Sequence, residues 1–288
     1  MFKLSLRLKL TLGILFGCVV LGLILDPTLL TLHFLHKSSS VPTPTKIQAS
    51  STTITSPKAQ DLFMPFVLTV SLHTTVTWRN NDSIPHVVMT TAQQSRFLNF
   101  QMFSFHIAAG SQAQFTFHHP GLYHYYDPTM STWNSSLSRI AAKRGTPHFP
   151  LAMDGVIWVQ GSIPGLPTSA TNLIAAGHDE FTNEFLAIST PGGVTWHNFD
   201  TDPHFVGLVE GWSAPINSTD IGLYRIAGTA DVPGGASTTA ILNTAGLYYY
   251  YCRNHSAIDR FTHRAEAMSM ASEYPIAMEG FILALPPS

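Results

Sequence analysis

The segment Gly246–His255, GLYYYYCRNH, places a cysteine directly after four tyrosines and three residues before a histidine. An earlier segment, Gly121–Asp127, reads GLYHYYD and begins in the same way. The chain of 288 residues has two cysteines, and the other one, Cys18, lies in an apolar N-terminal run. Cys252 therefore has no disulfide partner in the rest of the chain, and its thiol needs another explanation.

The two aromatic segments belong to a longer internal repeat. VTWRNNDSIPH ends at His86, and VTWHNFDTDPH ends at His204, 118 positions later. FPLAMDG and YPIAMEG contain Met153 and Met278, which are 125 positions apart, as are the ends of the two aromatic segments. Two similar domains are therefore predicted, and the second has seven extra residues in a surface loop around residues 211–232.

Within each repeat the local signals are those of β-strands. Residues 66–76 and 184–196 are rich in Val, Thr, Leu and aromatic side chains, and a Pro-Gly or Ala-Gly turn precedes each aromatic segment. Short strands separated by turns over roughly 110 residues predict a sandwich or a small barrel. In the second aromatic segment, period-2 alternation puts Tyr248 and Tyr250 on the same face as Cys252.

One segment in each repeat departs from the strand pattern. SAIDRFTHRAEAMSM, residues 256–270, begins with a Ser-to-Asp pattern typical of a helix N-cap, and residues 135–144 occupy the same place in the first repeat. The sequence thus predicts an all-β chain of two tandem domains, each with a short helical insert.

The N-terminus has the pattern of a membrane anchor. Basic residues precede an uncharged, mostly apolar run at residues 10–25, which suits a signal-anchor in the segment 1–37. The positive-inside rule places the rest of the chain outside the cytoplasm, tethered to the cell membrane. We expect an uncleaved anchor, with cleavage or lipidation at Cys18 as open alternatives. Residues 38–60, rich in Ser, Thr and Pro, are predicted to be a tether.

The remaining boundaries follow from the repeat. Domain 1 is predicted at residues 61–161, a linker at 162–172 and domain 2 at 173–288. Charged residues make up only 11% of the chain and the formal net charge is −2. This composition excludes the basic footprint of a nucleic-acid-binding protein, so no nucleic-acid partner is expected.

Metal coordination explains the lone thiol of Cys252. A free thiol outside the cytoplasm is open to oxidation and disulfide exchange unless it is protected. His204, His255 and Met278 add two imidazoles and a thioether to the thiolate. Such a set suits copper cycling between Cu(I) and Cu(II), because the sulfurs favour the reduced ion and the imidazoles serve both states.

At these positions the sequence resembles the cupredoxin family of plastocyanin-like blue copper proteins. The family patterns Asn-Asp-x-x-x-His, Pro-Gly-x-Tyr-x-Tyr-x-Cys-x-x-His and Met-x-Gly are matched by Asp200–His204, Ala245–Cys252 with His255, and Met278–Gly280. The resemblance implies Greek-key β-sandwiches or barrels and one type 1 copper in domain 2. It also implies one-electron transfer to redox partner proteins that dock transiently, through the edge of His255 or through Tyr251.

The axial ligand is the one position where the sequence departs from the family. The ligands of the family usually share one compact loop, whereas 23 positions separate His255 from Met278. Met268, Met270 and His263 are alternatives to Met278 as the axial ligand.

Domain 1 lacks the residues of a blue copper site. His86 and Met153 are retained, but Asp127 stands at the cysteine position and Met130 at the second histidine position. The domain is predicted to keep the fold with a degenerate metal site. The alternative is a different site of hard and borderline ligands, His86, Asp127 and His148, holding Cu(II) or Zn(II).

Electron transfer is the predicted function, and the chain is not expected to be an enzyme. Alternatives are a two-domain copper oxidase, a nitrite-reductase-like enzyme, and a copper storage or delivery protein. An oxidase of the laccase type needs His-x-His pairs, and the sequence has none. A nitrite-reductase-like centre would need convergence of histidines chosen from His73, His106, His178 and His197. The oligomeric state is left open.

Overall fold

The computed structural model describes residues 52–210 and 225–288 of the chain. The predicted anchor, most of the predicted tether and most of the predicted surface loop lie outside these residues. Among the described residues, no helix is long and apolar enough to span a bilayer.

Ten strands form the first half of the described chain. They are β1 (Thr53–Ser56), β2 (Val67–Ser71), β3 (Thr75–Asn80), β4 (His86–Thr90), β5 (Ser104–Ile107), β6 (Gln112–Thr116), β7 (Gly121–Tyr126), β8 (Ser131–Asn134), β9 (Arg139–Ala142) and β10 (Asp154–Gln160). They make a five-stranded sheet in the order β2-β10-β7-β4-β5 and a three-stranded sheet in the order β1-β3-β6. Strands β8 and β9 pair separately as a hairpin.

Ten strands also form the second half, in the same arrangement. They are β11 (Ser169–Ile174), β12 (Phe185–Ser189), β13 (Gly192–Asn198), β14 (His204–Glu210), β15 (Arg225–Val232), β16 (Ser237–Leu242), β17 (Gly246–Cys252), β18 (Ser256–Ile258), β19 (Ala265–Ala267) and β20 (Glu279–Leu285). The sheet orders are β12-β20-β17-β14-β15, β11-β13-β16 and β18-β19. The two halves therefore match strand for strand, and the prediction of an all-β chain is confirmed.

The prediction of a helical insert in each half is wrong. The corresponding residues form the hairpins β8–β9 and β18–β19. In the second hairpin, Asp259 Oδ1 accepts hydrogen bonds from the backbone N–H groups of Phe261 and Thr262, and His263 has a positive φ of 60°. Aspartate caps turns in this way as readily as it caps helices, so the sequence pattern fitted both structures.

The first hairpin closes by the same device. Asn134 Oδ1 accepts from the backbone N–H groups of Ser136 and Leu137, and Ser138 has a φ of 52°. Asn134 and Ser138 stand 125 positions before Asp259 and His263, so the turn is part of the repeat.

Two strands begin before the predicted starts of the two domains. Strand β1 lies within the predicted tether and pairs in parallel with β3, with Ile54 fully buried. Strand β11 begins inside the predicted linker and pairs in parallel with β13. Both are polar edge strands of their sheets, and β1, TITS, has a single apolar residue. Their composition therefore resembled that of a linker.

Each half has a core between its two sheets, centred on an equivalent tryptophan. Trp78 lies edge-on to Tyr125 at 5.5 Å between ring centroids, and Trp196 lies edge-on to Tyr250 at 5.4 Å. Tyr248, Tyr250 and Cys252 belong to the core of the second half. Tyr249 and Tyr251 point to the opposite face of β17, so the predicted alternation is confirmed.

That opposite face packs against the first half. Phe66 of the first half lies 6.0 Å from Phe281 of the second, ring centroid to ring centroid, in an apolar cluster drawn from both five-stranded sheets. The cluster fixes the outer face of β17 while its inner face supports the core. The strand that ends at Cys252 is thus held from both sides.

Two buried arginines cross between the halves at equivalent positions. Arg264 donates to the Ala152 carbonyl at 2.8 Å and to Asp154 Oδ1 at 2.7 Å. Arg139, which stands 125 positions earlier, donates to the Glu279 carbonyl at 2.9 Å. Asp154 and Glu279 are also 125 positions apart, so each arginine contacts the equivalent residue of the other half, Arg264 at the carboxylate and Arg139 at the backbone carbonyl.

Candidate metal centre

The first residue of the candidate site, His204, begins β14 and is fully buried in its side chain. Its Nε2 lies 3.4 Å from Asp200 Oδ2, four residues earlier. Although burial raises the pKa of Asp200, hydrogen bonds from the backbone N–H groups of Gly177 and Thr201 and from His204 bring it below its usual value. The carboxylate is therefore charged and holds the Nε2 side of the ring.

Cys252 lies at the end of β17 and is fully buried. The Phe205 backbone N–H donates to its Sγ at 3.3 Å, and the Cys252 N–H donates to the Met278 carbonyl at 2.9 Å. Burial raises the pKa of the thiol. A cation beside Sγ would reverse that effect, because the thiolate is the form that binds metals.

His255 follows β17 by three residues and is the more exposed imidazole. Its side chain is 13% exposed, and its Nε2 lies 3.1 Å from Asp179 Oδ1. Asp179 is held in turn by hydrogen bonds with Ser272 and Glu273 of the segment that follows β19. The position of this second imidazole is thus set by two separate loops.

The three groups converge on one point. Cys252 Sγ lies 3.8 Å from His204 Nδ1 and 3.5 Å from His255 Nδ1. With bonds of about 2.0 Å to nitrogen and about 2.3 Å to sulfur, two ligands about 120° apart are about 3.7 Å from each other. The spacing therefore fits an ion at the centre of the triangle without a large movement of any side chain.

The protonation of the two rings also suits metal binding. Each Nε2 faces a carboxylate, so each Nδ1 can present its lone pair to an ion, as in the carboxylate–histidine–metal arrangement. Burial, and then the neighbouring His255, lower the pKa of His204 and so favour its neutral form. Two imidazoles with one thiolate are the trigonal donor set of blue copper sites.

Met278 lies beside this triangle. It is fully buried in the same core cluster as Cys252, and its backbone N–H donates to Ser256 Oγ at 2.8 Å. Among the alternatives, Met270 is 78% exposed and His263 lies in the β18–β19 loop. The Met268 N–H donates to the His255 carbonyl at 2.9 Å, so Met268 also adjoins the site.

The two aspartates that hold the imidazoles were not predicted as part of the site. Asp200 lies within the motif that the sequence showed, four residues before His204. Asp179 comes from the β11–β12 connection, and no spacing links it to His255. It stands 118 positions after Asp61, the offset that separates His86 from His204, so the repeat pairs the two aspartates, although only the fold places Asp179 beside His255.

In the first half, Asp127 meets His86 directly. Asp127 Oδ2 lies 2.8 Å from His86 Nδ1, at the place where the second half has its thiol. Met130 packs on the core of this half, and the His148 ring stacks with Phe261 at 6.3 Å. Among the described residues, His148 belongs to none of the three groups of side chains placed to hold a metal.

The other histidines considered for a second copper centre are dispersed. Four histidines were candidates for a three-histidine site: His73, His106, His178 and His197. In the described part of the chain, none of them belongs to a group of side chains placed to hold a metal. His178 instead pairs with Glu273 at 2.6 Å, and that hydrogen bond raises its pKa.

No protein-family model matches the chain, and no curated protein matches it. Among solved structures, the chain is similar to a purple cupredoxin from Nitrosopumilus maritimus, with 21% identity and a TM-score of 0.26 over 38% of this chain and 98% of that one. Dithionite-reduced auracyanin from Roseiflexus castenholzii has 16% identity and a TM-score of 0.29, over 42% and 100% of the two chains. A Cu(I) form of an amicyanin variant has 16% identity and a TM-score of 0.27, over 41% and 90%. The function is therefore argued from the residues of the site.

Proposed function

We propose that the chain is a membrane-tethered, extracytoplasmic blue copper protein that carries single electrons. His204, Cys252 and His255 would hold one type 1 copper, with Met278 as the weak axial ligand. The observation that carries the proposal is the approach of both Nδ1 atoms to one buried thiol, at 3.8 and 3.5 Å. A structural role does not explain why both rings turn the same nitrogen towards sulfur.

When bound, copper supplies one-electron redox chemistry at this site. The residues of the chain keep the donor atoms in place. Asp200 and Asp179 fix the two rings, and the Phe205 N–H fixes the sulfur. A donor set held this firmly changes little between two oxidation states, which favours rapid electron exchange.

The exposed edge of His255 is the proposed route for electrons. Its side chain is 13% exposed, whereas that of His204 is fully buried. Only the imidazole ring of His255 would then separate the copper from a redox partner that docks transiently over this residue. Tyr251, next to Cys252 and partly buried on the opposite face of β17, is a second route.

Copper titration of the metal-free full chain tests this proposal. We expect an intense visible absorption that saturates at one equivalent of copper, with an electron paramagnetic resonance signal from a single thiolate-bound Cu(II). We also expect no turnover of oxygen or nitrite. Turnover that disappears in His86→Ala would favour the copper enzyme, and copper binding without the visible band would favour storage or delivery.

The axial position gives a second prediction. Met278→Leu should keep the visible absorption and raise the reduction potential, because loss of a thioether donor weakens binding of Cu(II) more than that of Cu(I). Each tenfold change in this preference is worth about 59 mV in a one-electron couple, so we expect a rise of that order in voltammetry. Met153→Leu is the matched control at the equivalent position of the first half. An unchanged reduction potential in Met278→Leu, together with a shifted potential in Met268→Leu, would show that Met268 is the axial ligand.

A further inference from the structure

A second cluster of potential metal ligands lies in the first half, around His86. His86 and Asp127 are fully buried, and Asp82 and Asp61 are 6% and 7% exposed. His86 begins β4, Asp82 lies in the β3–β4 loop and Asp61 in the β1–β2 connection. Together with Asp127, which follows β7, three separate segments of the chain meet at this point.

Asp127 determines which nitrogen of His86 remains available. Its Oδ2 accepts from His86 Nδ1 at 2.8 Å, while its Oδ1 accepts from the Thr129 backbone N–H and hydroxyl. An ionised carboxylate only accepts hydrogen bonds, so the proton lies on Nδ1. The lone pair is then on Nε2, on the far side of the ring.

The Nε2 atom of His86 faces the other two carboxylates. It is buried, has no hydrogen-bond partner among the described residues, and lies 3.7 Å from Asp82 Oδ2. One ligand atom each from His86, Asp82 and Asp61 lie within 4.8 Å of one another. Buried polar atoms are nearly always satisfied, so an orphaned nitrogen aimed at two carboxylates indicates a missing partner.

The second half holds its equivalent imidazole in the same orientation, but a thiol instead of a carboxylate faces its Nδ1 atom. There, Asp200 occupies the Nε2 side of His204 and leaves Nδ1 for the thiol. Asp82 is the residue 118 positions before Asp200 and lies on the same side of its ring, 3.7 Å from His86 Nε2, whereas Asp127 occupies the Nδ1 side. The exchange of cysteine for Asp127 has therefore moved the free lone pair to the opposite edge of the ring.

The charge of the cluster also requires a cation. Three carboxylates share a buried region with one imidazole, which leaves an excess of negative charge even if the ring is protonated. Uncompensated buried charge is costly unless it is paired or coordinated to a metal.

We propose that the first half binds a divalent cation, with Zn²⁺ the best match, through His86 Nε2 and the carboxylates of Asp61 and Asp82. Asp127 is a positioning residue that acts through the ring of His86. One imidazole with two carboxylates is a donor set for a borderline ion, and without sulfur it has no preference for Cu(I). Tetrahedral Zn²⁺ separates its ligands by about 3.4 Å, so the ligand atoms, which lie within 4.8 Å of one another, would draw closer together around the ion.

Calorimetric titration of the metal-free full chain with Zn²⁺ tests the proposal. We expect His86→Gln to bind one Zn²⁺ fewer per chain than the wild type. Asp61→Asn should weaken the same binding event by more than about 100-fold, because losing a ligand should cost more than the 10–100-fold typical of an outer partner. Zn²⁺ should raise the unfolding temperature of the wild type more than that of either variant.

His118→Gln is the matched control for adventitious binding. His118 and His73 form an exposed pair with 3.4 Å between their Nδ1 atoms, which makes it the natural surface competitor for Zn²⁺. The control should keep the full stoichiometry. Equal stoichiometry in the wild type and His86→Gln, or loss of the ion in His118→Gln alone, would overturn the proposal. If His86→Gln does not fold, the affinity of Asp61→Asn for Zn²⁺, compared with that of the wild type, tests the proposal instead. Neither comparison depends on Cys252.

Discussion

Cys252→Ser is expected to abolish the visible absorption of the copper-loaded chain. The absorption requires a thiolate bound to Cu(II), and a serine hydroxyl stays protonated and binds copper poorly. The substitution also removes the atom on which both Nδ1 groups converge. Absorption spectroscopy after addition of one equivalent of copper measures the effect.

The chain offers a matched control in its other cysteine. Cys18→Ser removes a thiol from the N-terminal apolar run, outside the proposed site, and should leave the spectrum unchanged. A visible band that persists in Cys252→Ser would reject the thiolate site. A band lost in Cys18→Ser would do the same.

Arg264→Met should lower the free energy of unfolding by about 3–5 kcal/mol, the usual cost of removing one partner from a buried ion pair. Arg264 is 4% exposed, and its guanidinium lies 3.7 Å from the centre of the Phe66 ring while it pairs with Asp154. Methionine fills much of the same volume but removes the guanidinium from Asp154, whose carboxylate then keeps only its contact with His124 Nε2 at 2.9 Å. Denaturant unfolding of the metal-free chain measures the loss without a contribution from ligand binding.

Arg260→Met is the control for this second substitution. Arg260 is exposed in the same hairpin loop, so its removal should change the free energy of unfolding by no more than about 0.5 kcal/mol. The double variant Arg264→Met with Asp154→Asn should recover part of the loss, since it also removes the stranded charge. Equal stability of Arg264→Met and Arg260→Met would show that the buried pair contributes nothing.

The strands and the convergence of three side chains could be predicted because their signals are local or repeated. His204, Cys252 and His255 stand in motifs with fixed spacing, and the repeat aligned each motif with a second copy. The alternation of Tyr248, Tyr250 and Cys252 follows from strand geometry alone. The face of the strand on which each of these residues lies could therefore be predicted from the sequence.

The wrong predictions have a common physical origin. The same local sequence pattern is compatible with two different structures. Asp259 and Asn134 hydrogen-bond the backbone of a turn as they would that of a helix, so the hairpins were predicted as helices. Asp179 and Asp61 lie in loops at equivalent positions of the repeat, but that spacing does not say which side chain each one contacts. Arg139 and Arg264 are buried only because each half supplies the partners of the other.

The reciprocal contacts of Arg139 and Arg264 are those expected of two subunits related by a two-fold axis. Asp154 and Glu279 stand at equivalent positions, although Arg264 pairs with a carboxylate and Arg139 donates to a backbone carbonyl. The chain is in this respect a homodimer joined into one polypeptide. Fusion frees the two copies to diverge, because each can change its ligands while the shared face stays fixed. A heterometallic protein can then evolve from a symmetric one through a cysteine-to-aspartate exchange in one copy.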